Sequence, residues 1–344
     1  MDTAITLGDI EDEVQDLTSE SSENMGLFKV RTANEWIEQA KKRPIPQMLF
    51  DELWFENELC ILFADTNLGK SALGVQIGNS ISKGEHIPGF KLEAKKQKVL
   101  YFDFELSDKQ FEGRYSRQYI DHYFFDDYFL RIEINPDAEI PEQGTFEDFL
   151  NQSLEQSITE TGAKILIIDN LTYLKNEMER ARDAFPLMKH LKALKSKYDL
   201  SILALAHTPK RDLTKPITRN DLQGSKMLIN FVDSCFAIGE SFKDKNTRYI
   251  KQIKTRSTEF LYDSENVAVC QLYKPYNFLH FEFLDFGTES EHLKQLSEQD
   301  KELLEQNIIE LKKTYPGMSL RDIAKQLNTN QMKVKRTLDK LNEL

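Results

Sequence analysis

The stretch Ala64-Asp65-Thr66-Asn67-Leu68-Gly69-Lys70-Ser71 has the residue types and spacing of a phosphate-binding loop. It directly follows the apolar run Cys60-Ile61-Leu62-Phe63 and precedes the helical pattern Ala72-Leu73-Gly74-Val75-Gln76-Ile77. A tight loop between a buried strand and a helix start points backbone N–H groups at an anion, and the helix dipole adds to the attraction. Asp65, Thr66, Asn67, Leu68, Gly69 and Ala72 would form the cradle, the Lys70 ammonium would reach the β- and γ-phosphates, and the Ser71 hydroxyl would join Mg²⁺. ATP with Mg²⁺ is the ligand this chemistry suits. Glycine is expected at position 64, where alanine serves if its φ is negative.

Two further strand ends supply what hydrolysis still lacks. Tyr101-Phe102-Asp103-Phe104-Glu105 delivers a carboxylate from a buried strand, with Glu105 as the candidate general base and Asp103 as its competitor or a structural acid. Ile165-Leu166-Ile167-Ile168-Asp169 ends in an acid placed to hold the Mg²⁺ shell.

The elements that must carry these groups are legible as short apolar runs between longer amphipathic stretches. Cys60–Phe63, Val99–Phe102, Ile165–Ile168 and Ile202–Ala206 lack polar alternation, as strands buried on both faces do, and predict a mostly parallel sheet covered by helices. Cys235–Ile238 and Tyr249–Ile253 read as further strands, and Val267–Val269 with Asn277–Leu284 as a closing antiparallel portion. Thr32 caps a short entry helix that ends by Pro44 and Pro46. The expected organisation is an acidic disordered tail over 1–27, an α/β domain over 28–286, a linker over 287–300 and a small all-α domain over 301–344.

Composition narrows the partners. The net charge of −12 owes −8 to acids within the first 25 residues, where no Lys or Arg occurs, so the rest of the chain carries only −4 and does not exclude nucleic acid. The cysteines Cys60, Cys235 and Cys270 have no metal-ligand spacing, and no run approaches the roughly 18 apolar residues a membrane span needs. A cytoplasmic protein without a membrane partner is expected.

The order of these motifs resembles the RecA-like hexameric ATPases, in the branch of DnaB-type replicative helicases, plasmid RepA-type helicases and KaiC-like ATPases. The segment Glu105-Leu106-Ser107, Gln110-Phe111 and Arg114 resembles that branch's region around the catalytic glutamate, and the resemblance puts Arg114 against the adenine. Ala206-His207-Thr208-Pro209-Lys210 resembles the sensor position, giving His207 a contact with the γ-phosphate. Asp221-Leu222-Gln223-Gly224-Ser225, followed by Asn230 and Asp233, resembles the glycine-serine segment that precedes the next strand. Lys254-Thr255-Arg256 resembles the Lys-x-Arg pair inserted into a neighbour's ATP site, so Lys254 and Arg256 would act in trans and the chain would form a homo-oligomer, a hexamer by resemblance.

The resemblance also places DNA. The loops 171–183 and 208–224 would face a ring channel holding a single strand, the second through Lys210, Arg211, Lys215 and Arg219. Near the C-terminus, Ser319–Leu327 and Gln331–Leu338 read as two helices around a tight turn at Asn328, with Ala324 small at their crossing and Val334 and Leu338 buried. This resembles helix-turn-helix and winged-helix domains. Lys333, Lys335 and Arg336 make the second helix basic enough to contact duplex DNA. A helicase-like ATPase for replication or mobilisation of a plasmid or transposon is expected. An ATP-switched DNA-bound regulator without unwinding, or a KaiC-like signalling ATPase, are the alternatives.

Overall fold

The computed structural model describes residues 28–138, 146–171, 184–209, 211–222, 225–295, 298–327 and 329–342. The acidic tail therefore lies outside the described residues. The helices are α1 (Ala33–Lys41), α2 (Lys70–Lys83), α3 (Asp108–Arg114), α4 (Phe146–Thr161), α5 (Ala184–Tyr198), α6 (Ser225–Phe231), α7 (Glu298–Thr314), α8 (Leu320–Gln326) and α9 (Gln331–Asn342). The strands are β1 (Met48–Phe50), β2 (Trp54–Phe55), β3 (Leu59–Ala64), β4 (Val99–Asp103), β5 (Ser116–Arg117), β6 (Asp121–His122), β7 (Phe129–Ile132), β8 (Ile165–Asp169), β9 (Ser201–His207), β10 (Ser234–Glu240), β11 (Thr247–Lys254), β12 (Val267–Tyr273) and β13 (His280–Gly287).

Nine strands form one sheet in the order β13-β12-β11-β10-β3-β9-β8-β4-β7. From β10 to β7 all neighbours are parallel, and from β10 to β13 all are antiparallel. This is the α/β architecture expected from the unalternated apolar runs, with a RecA-like core and an antiparallel extension. Within β3, Leu59, Ile61 and Phe63 join the core on one face and Cys60, Leu62 and Ala64 the core on the other. Both faces being covered is why no polar alternation appears in the sequence. Leu59, Ile61, Leu62 and Phe63, all fully buried, each contribute roughly 1.5–3 kcal/mol before the entropy cost is counted.

Inter-residue contacts divide the chain into 1–46 and 47–344. The first unit contains α1, whose Thr32 side chain accepts the Glu35 N–H while Glu35 accepts the Thr32 N–H in return. At the other boundary, part of the expected linker 287–300 is packed against the sheet. Glu289 is fully buried and His292 nearly so, and Glu289 pairs with Lys251 of β11. The polar stretch read as a linker is in part a buried ion-pair network, and α7 starts at Glu298.

The C-terminal helices close a small core of Ile308, Ile323, Ala324 and Val334. Ser319 caps α8 by accepting the Asp322 N–H at 3.1 Å. Ala324 and Val334 are buried as expected of two crossing helices, and α7 supplies Ile308 as the third side. Position 328 lies outside the described residues.

Candidate functional site

The parallel register brings the C-terminal strand ends together: Ala64 of β3 lies beside His207 of β9, and Asp103 of β4 beside Asp169 of β8. A crevice at the carboxyl ends of parallel strands is where such sheets bind ligands. Ala64 lies within β3, so its backbone is extended and the methyl group costs nothing. Asn67 and Gly69 take left-handed conformations at φ 62° and 94°, which turns the loop into α2. The helix stops at Gly84, also left-handed, whose N–H caps the Ser80 and Ile81 carbonyls.

A Cβ at Gly69 would lie 2.9 Å from the Phe281 ring and 3.1 Å from Leu272. Gly69→Ala is therefore expected to distort the loop and destabilise the chain by about 1–3 kcal/mol, from the strained φ and the contact together. Denaturant unfolding with parallel titration of a fluorescent ATP analogue checks this; unchanged stability and affinity would contradict it.

Lys70 is buried, and its Nζ lies 3.2 Å from both the Ala64 and Asp65 carbonyls and 3.1 Å from His207 Nδ1. Burial holds its pKa below the ordinary lysine value, partly opposed by Asp169, Glu105 and Asp65. An ammonium short of solvent and resting on neutral acceptors is suited to a phosphate. His207 Nε2 lies 3.2 Å from Glu105 Oε1. If Nδ1 accepts from Lys70, the ring proton sits on Nε2 and donates to Glu105, giving the chain Lys70–His207–Glu105. Asn170, which follows Asp169, donates its amide to the same Glu105 oxygen.

The two acids of β4 have different tasks. Asp103 is buried, and its Oδ1 accepts the N–H groups of Glu105 at 3.2 Å and Leu106 at 3.0 Å. Its Oδ2 accepts from Arg131 Nε of β7 at 2.9 Å. Asp103 is consumed in shaping the strand exit, whereas the Glu105 carboxylate is 36% exposed. His207 chiefly holds the Glu105 pKa below the ordinary value, against desolvation, so it is ionised at neutral pH.

Asp169 is fully buried and accepts the Tyr101 hydroxyl on Oδ2 at 2.6 Å, while Oδ1 has no hydrogen-bond partner. Burial pushes its pKa up to about 6, with the Ser71 and Tyr101 hydroxyls opposing the rise. A buried acid with an orphaned oxygen beside Ser71 fits a divalent cation, which would be held by Ser71, Asp169 and the nucleotide's own oxygens. Among the described residues no group of three or more His, Cys, Asp or Glu could hold a metal by itself. Such a sparse set suits Mg²⁺ arriving with a phosphate.

Arg114 ends α3 and is close enough to Glu105 to lower its pKa. Lys254 and Arg256 are not part of this constellation. Lys254 Nζ donates to the Ile229 and Val232 carbonyls at 2.6 and 2.7 Å, closing the C-terminal end of α6, and Arg256, half-exposed, pairs with Asp233. Of the basic loop, Lys215 and Arg219 are exposed, Lys215 pairing with Asp212, while Arg211 donates to the Lys215 carbonyl. Lys210 and residues 172–183 lie outside the described residues. On α9, Lys335 and Arg336 are exposed, but Lys333 is tied to Glu305 of α7 at 2.7 Å. The pair links α9 to α7 and leaves the Lys333 side chain about one-third exposed.

Sequence reasoning missed Asn170, Tyr101 and Arg131. Asn170 stood one position past the acid already singled out. The strand order, the glycine-turned loop and the convergent Lys70, Glu105, Asp169 and His207 define a P-loop NTPase with a RecA-like core. The chain belongs to the AAA domain family, which matches residues 28–212. Among solved structures it is similar to a KaiC-like protein from the hyperthermophilic archaeon Pyrococcus horikoshii OT3, at 12% identity and a TM-score of 0.45, covering 67% of this chain and 91% of that one. No curated protein matches the chain. No helix among the described residues is long and apolar enough to cross a membrane.

Proposed function

We propose that this chain is a Mg-ATP-hydrolysing, ring-forming motor acting on DNA, helicase-like, serving replication or mobilisation of a plasmid or transposon. The observation that carries hydrolysis is the chain Lys70–His207–Glu105, which joins the phosphate-binding lysine to an ionised carboxylate through a ring that can report the γ-phosphate. Mg²⁺ held by Ser71 and Asp169 would supply neutralisation of the charge that develops on the phosphate. Glu105 orients and deprotonates water, Asp103 and Arg131 fix the strand exit from which it projects, and Lys70 counters charge on the phosphoryl group. Arg114 is the adenine contact.

Ring formation is the reading that an outward-facing Arg256 supports. Arg131 is spent on Asp103 and the Leu106 carbonyl, and Arg256 lies half-exposed at the opposite end of the sheet, where Lys254 pairs with Cys235 at the start of β10. Supplied by a neighbour, Arg256 would stabilise transition-state charge, while Lys254 supports the finger by fixing α6. Lys215, Arg219, Lys335 and Arg336 supply exposed cations for DNA backbone. The committed state of Lys254 equally supports a second reading, an ATP-switched regulator that binds DNA through α9 without unwinding.

Steady-state ATP turnover across protein concentration, with and without single-stranded and duplex DNA, tests this. Turnover per chain should rise with concentration and with DNA, and Arg256→Ala should lower it by about 10³-fold. Adding Arg256→Ala to Lys70→Ala chains should restore turnover, since mixed interfaces pair an intact site with an intact finger. No restoration and no concentration dependence would remove the trans finger; DNA stimulation without fork unwinding would favour the regulator.

A further inference from the structure

β11 grips the segment that leaves the sensor histidine at two separate points. Tyr249 and Ile253 face the core that also holds Ile217, Leu222, Leu228 and Ile229, and Lys251, between them on the strand, faces the same way. Its ammonium donates to the Ile217 carbonyl at 2.9 Å, the Ser264 hydroxyl at 2.7 Å and Glu289 Oε2 at 2.5 Å. Glu289 Oε1 accepts the Ile217 N–H at 2.7 Å and the Tyr249 hydroxyl at 3.2 Å. The ion pair thus holds both backbone groups of one loop residue.

Three residues on, past an irregularity in the β10–β11 pairing, Lys254 closes the end of α6. The chain these anchors hold follows His207, with Lys215 just before the first anchor and Arg219 just after it, and the strand that grips it leads to Arg256. An ion pair buried this deeply is seldom a net source of stability over apolar packing, so its presence asks for another reason. Holding Ile217 by N–H and C=O in fixed register with β11 is a task that apolar side chains could not do.

We propose that Lys251 and Glu289 are positioning residues that make loop 211–222 and the finger strand β11 move as one body, so that the phosphate state met at His207 reaches the DNA-facing loop and the neighbour-facing Arg256 together. This rests on the reading of that loop and of Arg256 given above. The volume-conserving double variant Lys251→Met/Glu289→Gln removes both charges at once and leaves an acceptor for the Ile217 N–H. Ser264→Ala, which removes a single hydroxyl from the network, is the milder companion should the double variant fold poorly.

Amide exchange on the full chain, without nucleotide and across a titration of a non-hydrolysable ATP analogue with Mg²⁺, reads the coupling. In the wild-type chain the segments 211–222 and 250–256 should change protection with one shared midpoint. In the double variant 250–256 should still respond while the response of 211–222 weakens by about fivefold or more, the size of an ordinary coupling, with Ser264→Ala intermediate. A loop that ignores nucleotide in the wild-type chain overturns the proposal. So does a loop that keeps step with β11 in the double variant, or in Ser264→Ala when that is the variant that folds. DNA stimulation of turnover, measured alongside, is a separate readout: its absence from the wild-type chain would remove the DNA-motor reading, while the exchange data would still decide whether the clamp couples loop to strand.

Discussion

Glu105→Gln is expected to lower ATP turnover by about 10²–10⁴-fold, the usual contribution of a positioned general base, while nucleotide affinity stays within a few-fold of wild type. The amide keeps the volume and can still accept from His207, so what disappears is the basic carboxylate. Asp103 cannot replace it, because both its oxygens already bind the strand exit and Arg131. The acid limb of activity should fall below the ordinary glutamate range, since the folded-state pKa of Glu105 is depressed. The linked stability has the same sign: it is present above the unfolded pKa and is lost as pH falls through the lower, folded one. Single-turnover hydrolysis with saturating nucleotide separates chemistry from binding. A Glu105→Gln chain retaining most of its turnover, beside an Asp103→Asn chain that loses it at unchanged stability, would reverse the assignment of the two acids.

How far these roles could be read beforehand depended on whether a residue's surroundings are local in sequence. The phosphate loop, Glu105, Asp169 and His207 each end an apolar run, and a buried parallel strand announces itself through its lack of polar alternation. Their convergence follows once the sheet forms. Arg131 was invisible because it acts across the sheet from an edge strand of only four residues, Phe129–Ile132. Tyr101 reads as one more apolar strand residue, and only the register that pairs it with Ile167 brings its hydroxyl to Asp169. Glu289 failed differently: Gly-Thr-Glu-Ser-Glu-His resembles solvent-facing chain, and nothing local shows that Lys251, 38 positions upstream, is buried against it. The Lys254-x-Arg256 pair was found, but its two members differ. The lysine is spent on α6 and the arginine remains half-exposed beside Asp233, a distinction that neighbours far off in sequence decide.

Asp169→Asn should make the nucleotide-free chain more stable at pH 7.5, and at the same time abolish its stabilisation by Mg-ATP. The carboxyl is fully buried, and burial pushes its pKa to about 6 from an ordinary value of 3.8. A folded-state pKa above the unfolded one means the contribution is most favourable below about pH 4 and is lost as pH rises through about 6. A shift of about two units corresponds to about 3 kcal/mol of ionisation penalty at neutral pH, which the neutral amide avoids while still accepting from Tyr101. The gain should shrink toward zero near pH 4, where the wild-type acid is protonated too. In the wild-type chain a bound cation would repay that penalty, which is the physical reason for placing an acid with an orphaned oxygen beside Ser71. Ligand stabilisation grows with the logarithm of ligand over Kd, so a variant without the cation site should show little Mg²⁺-dependent rise in Tm at any attainable nucleotide concentration. Thermal melts at pH 4.5 and 7.5, with and without Mg-ATP, give both halves. A variant no more stable than wild type at pH 7.5 would mean the acid is not strained when ionised, and a retained Mg²⁺-dependent shift would remove Asp169 from the metal site.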